Sequence, residues 1–301
     1  MLYPRSFSFH PISTHLGTVV AYRPSEAETD AQAIPTVDGI AKMPLAFFHG
    51  FGGGSSAYEW SQIYPAFTAD YSVVAYDLLG WGRSHHLDRA YRLNDYLSNL
   101  QEILATLSPA PIVVASSLTA AMMLRLAAQK PEAFRALLLV APSGLSDFGE
   151  DYSRSPFAQL ISTPVLDRVL YMTAIATQFG IRSFLETRQF AQRDRINNEI
   201  IEAYLASAKQ PNAEYSALSF VRGDLCFDLA EDIPQLTVPT AIFWGRQSQF
   251  TSVELGQRLA ALNPQAICSF DIIEEAGLTP QLEQPAVLIG QMRHALRALG
   301  L

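Results

Sequence analysis

Short, continuous apolar runs recur along this chain, and stretches with helical spacing separate most of them. The runs are Pro44–Phe48, Ser72–Tyr76, Pro111–Ala115, Ala136–Val140, Thr240–Trp244 and Ile267–Ile273. The helical stretches are Ala57–Thr68, Leu93–Leu107, Leu118–Ala128, Val253–Leu262 and Ala286–Leu299. Runs this short and this uniformly apolar suit strands buried on both faces. Strands that alternate with helices of this length form parallel crossover units. The pattern therefore predicts a mostly parallel sheet flanked by helices on both sides. Two earlier strands, around Ser6–Pro11 and Thr18–Tyr22, have no helix between them and are expected to add an antiparallel edge, giving eight strands.

Composition supports a large core. Of 301 residues, 49% are hydrophobic and 17% charged, which excludes a disordered chain. The formal net charge of -8 argues against nucleic acid as a partner, because phosphate binding needs a basic surface. No run is long and apolar enough for a membrane span. Residues Met1–His10 lack the apolar centre of a signal peptide, so a cytoplasmic location is expected. Cys226 and Cys268 show no metal-ligand spacing and read as buried, reduced thiols. No metal and no cofactor is expected.

The alternation fails between residues 146 and 222. Helical stretches alone are expected there: Pro156–Ile161, Pro164–Phe179, Ile181–Phe190, Asn197–Lys209 and Asn212–Phe220. This reads as a helical cap (146–222) inserted after the sixth strand of a core formed by residues 1–145 and 223–301. Segment Ser25–Lys42 is polar and reads as an exposed excursion.

Four local patterns sit at strand ends. His49-Gly50-Phe51-Gly52-Gly53-Gly54 follows the third strand. Asp77-Leu78-Leu79-Gly80-Trp81-Gly82-Arg83-Ser84 follows the fourth. Ala115-Ser116-Ser117-Leu118-Thr119 joins the fifth strand to a helix. Trp244-Gly245-Arg246-Gln247-Ser248 and Ala276-Gly277-Leu278-Thr279-Pro280, with Glu283-Gln284-Pro285, close the last two strands. In this order the four resemble the α/β-hydrolase family, over nearly the whole chain. The resemblance implies an α/β-hydrolase fold with Ser117 at the nucleophile position. It implies an oxyanion hole from the Phe51 and Leu118 amides. His49, Gly50, Gly52 and Ser116 would lie along the ligand. Thr119 stands where the family places a small residue, so its β-branch is expected to crowd the turn.

Two positions depart from the family. Its acid position holds Ser248 and its histidine position holds Leu278. A serine hydroxyl needs a base to take its proton, and leucine cannot serve. Asp147, after the sixth strand, is an alternative acid. His85 and His86 could face the cleft rim, whereas His10, His15 and His294 lie on the first strands and the last helix. The expected function is a non-hydrolytic member of the fold that binds a small apolar molecule, or a protein partner, under the cap. The alternative is an esterase-like or other enzyme that activates Ser117 with a non-standard base. A purely structural role, with the cap as an assembly face, is the third reading.

Overall fold

The structure is a computed structural model that describes residue 4 and residues 6–25, 36–37, 40–150 and 171–301. Eight strands form one sheet: β1 (Phe7–Thr14), β2 (Gly17–Pro24), β3 (Pro44–Phe48), β4 (Ser72–Asp77), β5 (Ile112–Ser116), β6 (Ala136–Val140), β7 (Thr240–Gly245) and β8 (Ile267–Ile273). Their spatial order is β1-β2-β4-β3-β5-β6-β7-β8. The β1/β2 and β2/β4 pairs are antiparallel, and all the others are parallel. Every residue of β3, β5, β6 and β7 is buried, which is why these strands read as unbroken apolar runs. Edge strand β1 instead alternates inward and outward residues.

Helices α1 (Leu93–Ala105) and α2 (Ser117–Gln129) follow β4 and β5. Between β6 and β7 the described residues are helical: α3 (Gln178–Phe184), α4 (Asn198–Ala208) and α5 (Ala213–Arg222), with π turns at Tyr171–Ile175 and Leu185–Gln189. Helices α6 (Val253–Ala260), α7 (Pro280–Glu283) and α8 (Pro285–Ala298) complete the chain. Caps fix the helical segment locally. The Thr177 hydroxyl accepts from the Gly180 amide, Asn197 Oδ1 accepts from Ile200, and α5 stops at Gly223, where φ is 85°. The expected helix Pro156–Ile161, and Pro164–Phe179 as far as residue 170, lie outside the described residues. So does most of the Ser25–Lys42 excursion, within which Thr36–Val37 pairs with Ile40–Ala41. Among the described residues, no helix is long and apolar enough to cross a membrane.

Two expectations need correction. The stretch Ala57–Thr68 is not one helix but two 3-10 turns, Ala57–Trp60 and Tyr64–Phe67. Pro65 has no amide to extend a helix, and Trp60 Nε1 donates to the Phe48 carbonyl at 2.9 Å, which pins the first turn to β3. The cysteines form no disulfide, but they are not buried as expected: Cys226 is half-buried and Cys268 is exposed.

Register decides where the loops gather. Phe48 pairs with Ala115, Ser116 with Val140, Val140 with Phe243 and Gly245 with Ile273. The carboxyl ends of β3, β5, β6, β7 and β8 therefore finish along one edge, and the loops after them meet there. An aromatic cluster supports this edge from below, with the Phe47 ring against Trp60, Tyr64 and Phe67 at centroid distances of 5.7, 6.0 and 6.3 Å. Replacing Phe47 by alanine should cost about 3–5 kcal/mol in urea unfolding. A loss below about 1 kcal/mol would show that the cluster does not support the sheet.

Candidate functional site

The site begins with a sharp reversal between β5 and α2. Ser117 has φ of 55°, a left-handed conformation that costs a non-glycine residue about 1–3 kcal/mol, and it is 9% exposed. Its hydroxyl makes no hydrogen bond among the described residues. Thr119 does not spoil the turn. Its hydroxyl donates to the His49 carbonyl at 2.7 Å, so the branched residue fastens α2 to the glycine loop. Gly50 makes that approach possible, since a Cβ there would stand 3.1 Å from Ser116 Oγ and 3.2 Å from Ser117 Cβ.

His49 sits behind this loop, fully buried. The Leu78 amide donates to Nε2 at 3.0 Å, so the proton is on Nδ1, which donates to the Gly50 carbonyl at 2.7 Å. Both ring nitrogens are thus spent, and burial lowers the ring's pKa to about 4. His49 is a strut and not a base. The Phe51 and Leu118 amides, by contrast, donate to no group among the described residues. The Phe51 ring turns away into Trp81, Tyr96 and Phe220.

The loops after β7 and β8 interlock beside the elbow. A Cβ on Gly245 would lie 1.9 Å from the Gly277 carbonyl, and the Gln247 amide donates to Ala276. Leu278 is buried, and its amide donates to the Gln189 carbonyl at 2.7 Å. Glu283 holds this loop. It accepts from Gly277 at 2.6 Å and from Ala191 at 2.7 Å, joining the loop to the helical segment. The Ser248 hydroxyl is buried without a partner.

Asp147 is buried beneath the other end of the segment. It accepts from the Ser143 hydroxyl at 2.6 Å and from the Gly144 and Leu229 amides. Burial raises its pKa against these donors. Asp228 takes the Phe148 and Gly149 amides, each at 3.0 Å, so the two aspartates join the turn after β6 to the segment after α5. His86 bonds to the Gly82 carbonyl and exposed His85 packs on Gly17. His10 bonds to Ser8, His15 pairs with Glu102 and His294 is exposed on α8. None of the histidines lines the cleft described next.

A cleft of about 1300 Å³ opens above the carboxyl edge. Phe179, Ile181, Phe184, Phe220, Phe250 and Leu255 form its apolar wall. Ser143, Asp147 and Thr251 add polar groups, whereas Ser117 and Leu278 are not part of its lining. Among the described residues, no cluster of histidine, cysteine and carboxylate side chains could hold a metal. Sequence reasoning missed Asp228, Gln189 and above all Glu59, which accepts from the Gly50 amide at 3.1 Å. The only signal for Glu59 was a lone carboxylate between Tyr58 and Trp60 in a stretch read as an ordinary helix face.

His49 yields a pH prediction. Its pKa in the folded state lies below the unfolded value of about 6.5, so the unfolded chain takes up the proton first as pH falls. His49 should remove up to about 1.4 kcal/mol of stability per pH unit between pH 6.5 and 4, and little more below that. Comparing His49→Gln with the native chain by urea unfolding isolates this slope, and parallel pH profiles would refute it.

A family model described as the alpha/beta hydrolase family matches residues 45–291. The chain is 24% identical over 274 residues to the uncharacterized hydrolase YugF of Bacillus subtilis (strain 168), covering 84% of this chain and 93% of that one. It is 26% identical over 263 residues to epoxide hydrolase 4 of Mus musculus, covering 83% and 71%. Among solved structures, the epoxide hydrolase CorEH superposes with a TM-score of 0.75 at 17% identity, over 97% of this chain and 99% of that one. With its match running from β3 into α8, and with a serine on the strained turn between β5 and α2, this chain belongs to the α/β hydrolase family.

Proposed function

We propose that this chain is a non-hydrolytic member of its family, which holds a small apolar molecule in the cleft beneath a cap formed by residues 146–222. The observation that carries this reading is Leu278. It follows Gly277 in a loop fastened by Glu283, where the family resemblance expects the general base, and a leucine there cannot take a proton. Ser248 offers no carboxylate to orient one. Losing the base of a serine triad costs on the order of 10⁶ in kcat in a serine protease. The apolar wall of Phe179, Ile181, Phe184, Phe220, Phe250 and Leu255 supports binding by burial.

An enzyme that uses Ser117 with a non-standard base is the second reading. It is favoured by the retained left-handed turn at Ser117 and by the unspent Phe51 and Leu118 amides, which are the parts a nucleophile needs. YugF and epoxide hydrolase 4, to which the chain is similar, are both hydrolases by name.

A fluorophosphonate probe separates the two. The native chain should remain unlabelled at Ser117 and turn over p-nitrophenyl esters no faster than Ser117→Ala. Rapid labelling, or turnover above that control, overturns the first reading. In a thermal-shift screen of apolar metabolites, a true ligand at 100 times its Kd should add about 2.7 kcal/mol, seen as a Tm rise of several degrees. The double variant Leu278→His with Ser248→Asp should gain esterase activity. If it does not, the change is not confined to the base and acid positions.

A further inference from the structure

The cleft carries polar groups beside its apolar wall, and most of them are already spent. Asp147 holds the Ser143 hydroxyl and two amides. The Thr177 hydroxyl donates to the Ala174 carbonyl, and the Thr187 hydroxyl to that of Ser183. Arg188 differs. Among the described residues that line the cleft it alone is cationic, and its guanidinium has no hydrogen bond or ion pair among the described residues. Other arginines of the helical segment have carboxylate partners: Arg182 has Glu186, Arg195 has Glu275 and Arg222 has Asp224.

The local helix explains where Arg188 stands. Helix α3 runs without a break into the Leu185–Gln189 turn, because Leu185 keeps helical angles of φ -59° and ψ -47°. Ile181, Phe184 and Arg188 follow one another at spacings of three and four residues, which stacks them on one face, and all three line the cleft. Arg182 and Glu186, paired with each other, are not part of the lining. Phe184 rests on the glycine loop, since a Cβ on Gly52 would lie 3.3 Å from its ring. Phe179, near the start of α3, also lines the cleft and is 82% exposed. At 1.5 Å per residue, this uncovered ring and the unpaired guanidinium stand about 13 Å apart along the helix.

Each of these two groups gains from a partner of a definite kind. An exposed aromatic ring gains from apolar cover. A guanidinium gains from a carboxylate or sulfonate that accepts two of its N–H groups together. An amphiphile with one anionic end satisfies both. The charges of the core side set its direction, because Asp147 and Glu150 sit on the turn after β6 and not on α3. They repel an anionic end and leave Arg188 to receive it. The net charge of -8 offers anions no general attraction, so a preference for one has to be local.

We propose that the cleft takes an apolar molecule with an anionic end, whose body covers Phe179 and Phe184 and whose anion pairs with Arg188. This rests on the ligand-binding reading above and names the chemical class of the ligand.

Two fluorescent probes test it: anilinonaphthalene sulfonate and phenylnaphthylamine share their aromatic rings and differ by the sulfonate. Titrated against the full chain, the sulfonate should bind about tenfold more tightly, with the advantage shrinking as salt is added. Arg188→Gln should cost the sulfonate about tenfold and change the neutral probe by no more than about twofold. Arg188→Lys should keep part of the preference, having the charge without the planar fork. Phe179→Ala, at an exposed position, should weaken both probes several-fold. Equal affinities in the native chain overturn the inference, as does a sulfonate affinity untouched by Arg188→Gln. If the neutral probe binds in a Phe179-dependent way and the sulfonate has no advantage, only the anionic end is lost and the binding reading stands. If neither probe binds, both fall.

Discussion

The sharp reversal at Ser117 is the constraint on which the carboxyl edge depends. A buried strand ends at Ser116 and a helix starts one residue later, with φ of 55° at the junction. Such a turn survives only if its surroundings over-determine it. Here Thr119 ties the new helix to the His49 carbonyl, and Gly50 lets the glycine loop lie against Ser116 and Ser117. His49 then joins that loop to the start of the turn after β4 through Leu78. Three loops from three strands are locked to one strained residue.

Carboxylates do the second half of the work, and they do it largely through backbone amides. Asp77 accepts from Tyr22, from the Ala57 amide at 2.7 Å and from the Arg83 amide at 2.8 Å. Asp147 closes the turn after β6, Glu283 fixes the loop carrying Leu278, and Glu59 bridges the glycine loop to α4. Each carboxylate collects amides that loops would otherwise leave unpaired, and a hydrogen bond to a charged group contributes about 1.5–3 kcal/mol. Burial raises the pKa of all four, and the bonds that shape the loops work against that shift by favouring the ionised form.

The periodicity of the sequence carried the fold because burial leaves a local mark. Strands covered on both faces must be apolar at every position, and β3, β5, β6 and β7 are. The antiparallel start was legible because no helix separates Phe7–Thr14 from Gly17–Pro24. The Ala57–Thr68 stretch misled because its apolar spacing satisfies a helix, while the bond from Trp60 to β3 and the ring of Pro65 break it. Cys268 misled for a related reason: on edge strand β8, one face stays open to solvent.

The sequence by itself determined the order of strands and helices, the place of Ser117 on its turn, and the identity of the residues at 248 and 278. These are consequences of pattern and spacing along the chain. Only the tertiary structure decided what the polar residues do. It made Thr119 a fastener, spent both nitrogens of His49 on backbone groups, set Asp147 to clamping the turn after β6, and buried Glu59 between loops far apart in sequence. Hydrogen bonds of that kind depend on which strand ends meet in space, and no local periodicity encodes them.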